Sequence, residues 1–157
     1  MQLAKQIAKQ FREVTLDGKW IALTNIKEQI SDLNWEEATK SVYGLNSIAL
    51  LCFHINYYIA GVNQVLEGGS LDIRDKFSFD MPPITSQEEW EQLRQKFYAD
   101  ADHFGTLVEQ LSEEDISGPF IEEKYGSFYR NITGMIEHAY YHFGQIVIIK
   151  KLVQRVD

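Results

Sequence analysis

Residues 127–154, SFYRNITGMIEHAYYHFGQIVIIKKLVQ, contain no proline and carry apolar side chains at helical spacing from end to end. The stretch reads as one long helix from about Ser127 to Gln154. At ~100° per residue, one face collects Ser127, Asn131, Gly134, His138, His142, Gln145 and Ile149. Lys150, Lys151 and Gln154 lie opposite the histidines. A second seam, Tyr129, Ile132, Ile136, Tyr140, Phe143 and Val147, also runs opposite the histidines. A helix apolar on two faces needs two packing surfaces. This one therefore belongs inside an assembly of helices.

The rest of the chain supplies the neighbours. Upstream, Ser86-Gln87-Glu88-Glu89 is a capping-box pattern. It opens a helix with the stripe Trp90, Leu93, Phe97, Ala101, Phe104, Val108 and Leu111. A further helix runs from about Ser47 to Leu66 and stops at Gly68-Gly69. The first stretch carries Leu3, Ile7, Phe11, Val14, Leu16, Trp20, Leu23, Ile26, Ile30 and Leu33, with Asp17-Gly18 marking a kink or the junction of two successive helices. A short helical turn is expected at 35–40, before Gly44, and 118–124 is at most a short extended piece. The only prolines, Pro82, Pro83 and Pro119, fall in loops. The expectation is an all-α four-helix bundle, one domain over 1–157, with a long connection at 68–85 between the second and third helices.

Composition bounds the function. The chain has 157 residues, 45% of them hydrophobic, and a formal net charge of −8. That acidity gives no basic excess for nucleic acid. The charged, amphipathic start does not read as a signal peptide, and no run of 18 apolar residues suggests a membrane span. The lone cysteine, Cys52, cannot form an internal disulfide, which points to a cytoplasmic setting.

Of the four histidines, three are expected to face inward. His138 and His142 stand at i and i+4, one turn apart on one face, close enough to share an ion. His54 projects away from Asn56, Asn63 and Glu67, read as the polar side of its helix. His103 projects off its apolar stripe and is excluded as a ligand, and Cys52 points away from His54. Three imidazoles with open positions beside them suit a catalytic divalent metal. The zinc-protease pattern is absent, since Ala139 follows His138, and so is the paired Glu-x-x-His set of di-iron bundles. The residues alone leave a second possibility open, buried histidines hydrogen-bonded to Tyr, Asn and Gln side chains.

The early Trp20 helix, the inward His54 and the late His138-x-x-x-His142-x-Gly144-Gln145-Ile146 together resemble the DinB/YfiT-like superfamily. So does the run Tyr125-Gly126-Ser127…Arg130-Asn131-Ile132…Ile136-Glu137-His138. The similarity extends over the whole chain, with the late motif its most specific part. It implies a four-helix bundle holding one divalent metal, zinc or nickel, on His54, His138 and His142. Characterised members of that family include S-transferases using low-molecular-weight thiols such as bacillithiol, and a mycothiol-dependent isomerase. The expected activity is a metal-dependent thiol S-transferase or hydrolase acting on a small molecule. A non-enzymatic metal-binding stress or interaction bundle is the alternative.

Gln145, Asn131 and Tyr58 are candidate substrate contacts, and Gly134 would keep the space above the ion clear. Glu137 lies off the histidine face and reads as a surface charge. The second seam is covered by neighbouring elements or forms a homodimer interface, and dimers are frequent in the resembling family.

Overall fold

The computed structural model describes residues 2–155, and among them no strand is present. Seven α-helices follow one another: α1 (Gln2–Thr15), α2 (Ile26–Ile30), α3 (Trp35–Thr39), α4 (Ile48–Leu66), α5 (Gln87–Gln110), α6 (Glu113–Ser117) and α7 (Phe128–Val153). The four long ones close a ring: α4 packs on α5, α5 on α1, α1 on α7 and α7 on α4. Phe11, Ile55, Ile59, Trp90, Phe97, Phe104 and Ile146 fill its interior. The rings of Phe11 and Phe104 meet across α1 and α5 with centroids 4.3 Å apart.

The helix ends follow local chemistry. Ser47, Ser86 and Ser127 cap α4, α5 and α7 through their hydroxyls. At α5 the reciprocal half of the expected box is moved by one residue: the Glu89 carboxylate accepts from the Thr85 amide at 2.6 Å. Two complete boxes occur instead on short helices, Asn34 with Glu37 and Ser112 with Asp115. Gly68, at φ +85°, ends α4. By length and composition α4 is apolar enough to cross a membrane, yet 67% of that stretch is buried inside the fold.

Three expectations change. The first helical stretch ends at Thr15 rather than continuing through Trp20. Residues 16–25 form a turn instead, and a Cβ at Gly18 would collide with the backbone of Glu13. The Asn25 side chain fixes the turn by donating to the Gly18 carbonyl at 3.1 Å while capping α2. Trp20 is therefore not on a helix and is 81% exposed. Second, Asn56 and Asn63 are buried, not solvated. Here α5 lies across that face, and both amides donate to Asp100, Asn56 to its carboxylate at 2.8 Å and Asn63 to its carbonyl at 3.0 Å. Third, the second seam of α7 is largely covered within the chain: Ile132, Ile136 and Phe143 are buried, and Tyr140 and Val147 pack on the core. The packing of α1 on α7 explains this, and Tyr129 alone of the six stays exposed.

A five-residue helix such as α2 does not hold by itself. The carbonyls at its C-terminal end and in the turn just beyond it are taken by side chains from elsewhere. Arg94 donates to the Ile30 and Ser31 carbonyls at 3.1 and 2.6 Å, Trp90 to Leu33 at 2.9 Å, and Lys150 to Gln29 at 2.8 Å. Arg94 is itself buried and paired with Glu91. Replacing it with methionine keeps the stem and removes the donors, leaving the carbonyls unpaired. A loss of about 2–3 kcal/mol is expected, read as a lower urea midpoint by circular dichroism.

Candidate functional site

The packing of α4 on α7 brings His54 against His138 and His142. The Nε2 atom of His138 lies 3.1 Å from that of His54 and 3.0 Å from that of His142. Among the described residues these three form the one group of histidine, cysteine or acidic side chains arranged to hold a metal ion, with ligand atoms within 4.8 Å of one another.

The other ring nitrogens settle where the protons are. Nδ1 of His54 faces the Ser78 carbonyl at 3.2 Å, and a carbonyl only accepts. Nδ1 of His142 faces the Gln145 amide oxygen at 2.8 Å. Both Nδ1 atoms therefore carry hydrogen, and both Nε2 atoms present lone pairs to His138. A neutral His138 has at most one Nε2 proton to give them. The triad is one donor short, and a shared cation would satisfy it. An ion about 2.0–2.1 Å from each of three nitrogens spaces tetrahedral ligands about 3.3 Å apart, so the donor set fits a small divalent ion.

The protonation states suit ligation. Burial lowers the pKa of His54, reinforced by His142 and partly offset by the Ser78 carbonyl and Asp75. Burial, with charge repulsion from His142 and His54, takes His138 down to about 4. Burial also lowers His142, against the Gln145 hydrogen bond. The folded chain thus holds all three as neutral imidazoles near pH 7. Below about 6.5, the value each takes when unfolded, the unfolded chain binds protons that the folded chain does not. Stability therefore falls as pH drops from there through the folded values. Chelator-treated protein should show a falling Tm between about pH 6.5 and pH 4, and His138→Ala should flatten that slope.

The connection between α4 and α5 covers the triad. Its 3₁₀ turn, Asp75–Phe77, presents the Ser78 carbonyl to His54, and the Ser78 hydroxyl donates to the Asp75 carbonyl at 2.7 Å. Phe79 stacks on the His54 ring, with centroids 3.9 Å apart and planes at 11°. Tyr58 meets His54 and His138 edge-on, each at 5.2 Å, and donates its hydroxyl to Asp75 at 3.0 Å. The connection is pinned by the Tyr57 hydroxyl, which donates to the Arg74 carbonyl and accepts from its amide at 3.1 and 2.9 Å. Tyr141, itself exposed, meets the His142 ring edge-on at 4.8 Å.

The remaining candidates separate. Gln145 joins the triad through His142, and Tyr58 borders it. Asn131 does not: its amide donates to the Tyr125 and Ser127 carbonyls at 2.8 and 2.9 Å, at the start of α7. Gly134 is also displaced from its expected part. A Cβ there would meet only the Arg130 guanidinium, at 3.4 Å, so the glycine clears no space for an ion. Glu137 forms a surface pair with Arg130, and His103 an exposed pair with Glu67. Cys52 is buried, and burial pushes its thiol up to about 12. Asp75, Ser78, Phe79 and Tyr141 were missed in the sequence, since helical phase does not report where a connection crosses.

Comparison with protein-family models, with curated proteins and with solved structures finds no match to the chain.

Proposed function

We propose that the chain is a metal-dependent enzyme of the DinB/YfiT-like type, a four-helix bundle whose His54, His138 and His142 hold one divalent ion. Zinc or nickel is the favoured ion. The observation that carries this reading is the convergence of three Nε2 atoms with too few protons to satisfy one another. No fourth histidine, cysteine or acid joins the triad among the described residues, which leaves coordination positions for a substrate. A bound divalent ion supplies Lewis acidity, polarising a small substrate or acidifying a thiol or water.

The chain's own residues arrange the rest. Gln145 and the Ser78 carbonyl fix the imidazole tautomers, as second partners of metal-binding histidines do. Phe79 and Tyr58 exclude water from two sides of His54. The Asp75 carboxylate beside the triad accepts from the Tyr58 hydroxyl, and the favoured activity is S-transfer with a low-molecular-weight thiol as cosubstrate, or hydrolysis. A cytoplasmic setting is part of the proposal. So is a homodimer through what the second seam of α7 leaves exposed, Tyr129. The cover of Phe79 over His54 favours, as a second reading, a closed metal site without catalysis.

Calorimetric titration of the chelator-stripped chain with zinc tests the proposal. One equivalent bound, with proton release growing below pH 6.5, is the expected result. Absence of saturable uptake of zinc and nickel alike would overturn it. A panel of thiols with electrophilic substrates then separates the catalytic reading from the closed one.

A further inference from the structure

A cavity of about 510 Å³ lies away from the histidines, between α4, α5 and the connection that joins them. Its volume falls within the roughly 300–1,000 Å³ of small-molecule sites. Phe53, Ala60 and Gly61 of α4 form one wall, and Ile73, Met81 and Ile84 of the connection form the other. Gly61 has a defined part here: a Cβ at this position would collide with Ile73, so the glycine lets the connection close on the helix.

The polar groups around the cavity define what enters. Glu89 accepts from Thr85, and Lys96 is paired with Asp100 at 2.7 Å. The Lys96 charge is thus already paired and the Glu89 carboxylate is held by two hydrogen bonds, while the walls between them are largely apolar. Asn56 also lines the cavity and is 4% exposed. Its amide nitrogen is engaged by Asp100, and its buried Oδ1 has no hydrogen-bond partner. A buried carbonyl oxygen without a donor costs the fold free energy that a ligand N–H or O–H would recover.

We infer that this cavity is a second ligand site, for a small uncharged aromatic or alicyclic molecule carrying one hydrogen-bond donor, which Asn56 accepts. It stands on different residues from the metal proposal and does not require it.

The probe is N-phenyl-1-naphthylamine, an uncharged two-ring compound with one N–H whose emission rises in apolar surroundings. Saturable binding at one site is expected, unchanged in His138→Ala. Ala60→Trp should fill the cavity and abolish binding while the far-ultraviolet spectrum and zinc uptake stay as in the wild type. Asn56→Leu should weaken the probe about tenfold, the worth of one hydrogen bond. It should leave 1-phenylnaphthalene, which lacks the donor, unaffected. Equal probe binding by wild type and Ala60→Trp would overturn the inference, as would no saturable binding by the wild type. A wild-type dimer that Ala60→Trp converts to a monomer, with no probe bound to either, would assign the cavity to a second copy instead.

Discussion

Zinc titration of the His138→Ala chain is expected to lose the high-affinity equivalent, a drop on the order of 100-fold or more in affinity, with little loss of stability in chelator. His138 is the common neighbour of the other two imidazoles, at 3.1 and 3.0 Å. Its removal leaves two ligands, and changes at partners one shell further out already cost 10–100-fold. The stability readout separates the two origins of a buried histidine cluster. Structural histidines hydrogen-bonded to one another would lose a real interaction. In the metal-free triad, lone pairs converge with one donor too few, so truncation relieves crowding while opening a small void. A net change within about 1 kcal/mol is expected. His103→Ala, an exposed pair with Glu67, should keep full zinc uptake. Unchanged zinc uptake in His138→Ala together with a loss of about 3 kcal/mol would mean that the triad is structural.

The second large effect is on folding. Trp90 heads the fully buried side chains by volume, and its Nε1 donates to the Leu33 carbonyl at 2.9 Å. The Arg94 guanidinium lies over its ring, 5.6 Å from the centroid. Trp90→Ala should cost about 3–5 kcal/mol for the void. The orphaned carbonyl adds about 1 kcal/mol. Against a total of about 5–15 kcal/mol, this is a large share of the stability. Urea unfolding by circular dichroism measures it, with Trp90→Phe, which loses the donor but keeps much of the ring volume, expected to fall about 1–2 kcal/mol. Equal midpoints for Trp90→Ala and wild type would show that the site collapses without penalty.

How much of this was legible in the sequence depends on the kind of residue. The long helices were, because Ser47, Ser86 and Ser127 mark their starts and their apolar stripes keep one period for several turns. The inward directions of His138 and His142 followed from the same arithmetic, while that of His54 was read against a polar side whose Asn56 and Asn63 are themselves buried. The arithmetic failed where the period continued through residues that do not form a helix. Trp20 and Leu23 fit the first stripe, yet the turn at Gly18 puts both in solvent. It failed again where polarity was read as exposure. Asn56 and Asn63 look like a solvated face until Asp100, on another helix, is found to bind both. The Ser78 carbonyl that orients His54 is a backbone atom on an irregular connection, and no pattern of side chains marks it. The second α7 seam was ambiguous for a related reason. Apolar spacing shows that a surface is covered, and not by what.

The staples on α2 also set an order of events during folding. Arg94 and Lys150 reach its last carbonyls from 64 and 121 residues along the chain, and Trp90 reaches Leu33, just past its end, from 57. Short-range contacts cannot supply those donors, so closing these loops precedes any lasting helix at Ile26–Ile30. α2 is therefore a late element, completed when α5 and α7 have docked. Hydrogen exchange gives this a direct reading. The amides of α2 should exchange through the global opening that frees α5, not through the local fraying usual for a helix so short. A brief segment near the start of the chain would then report the cohesion of helices that lie far from it in sequence.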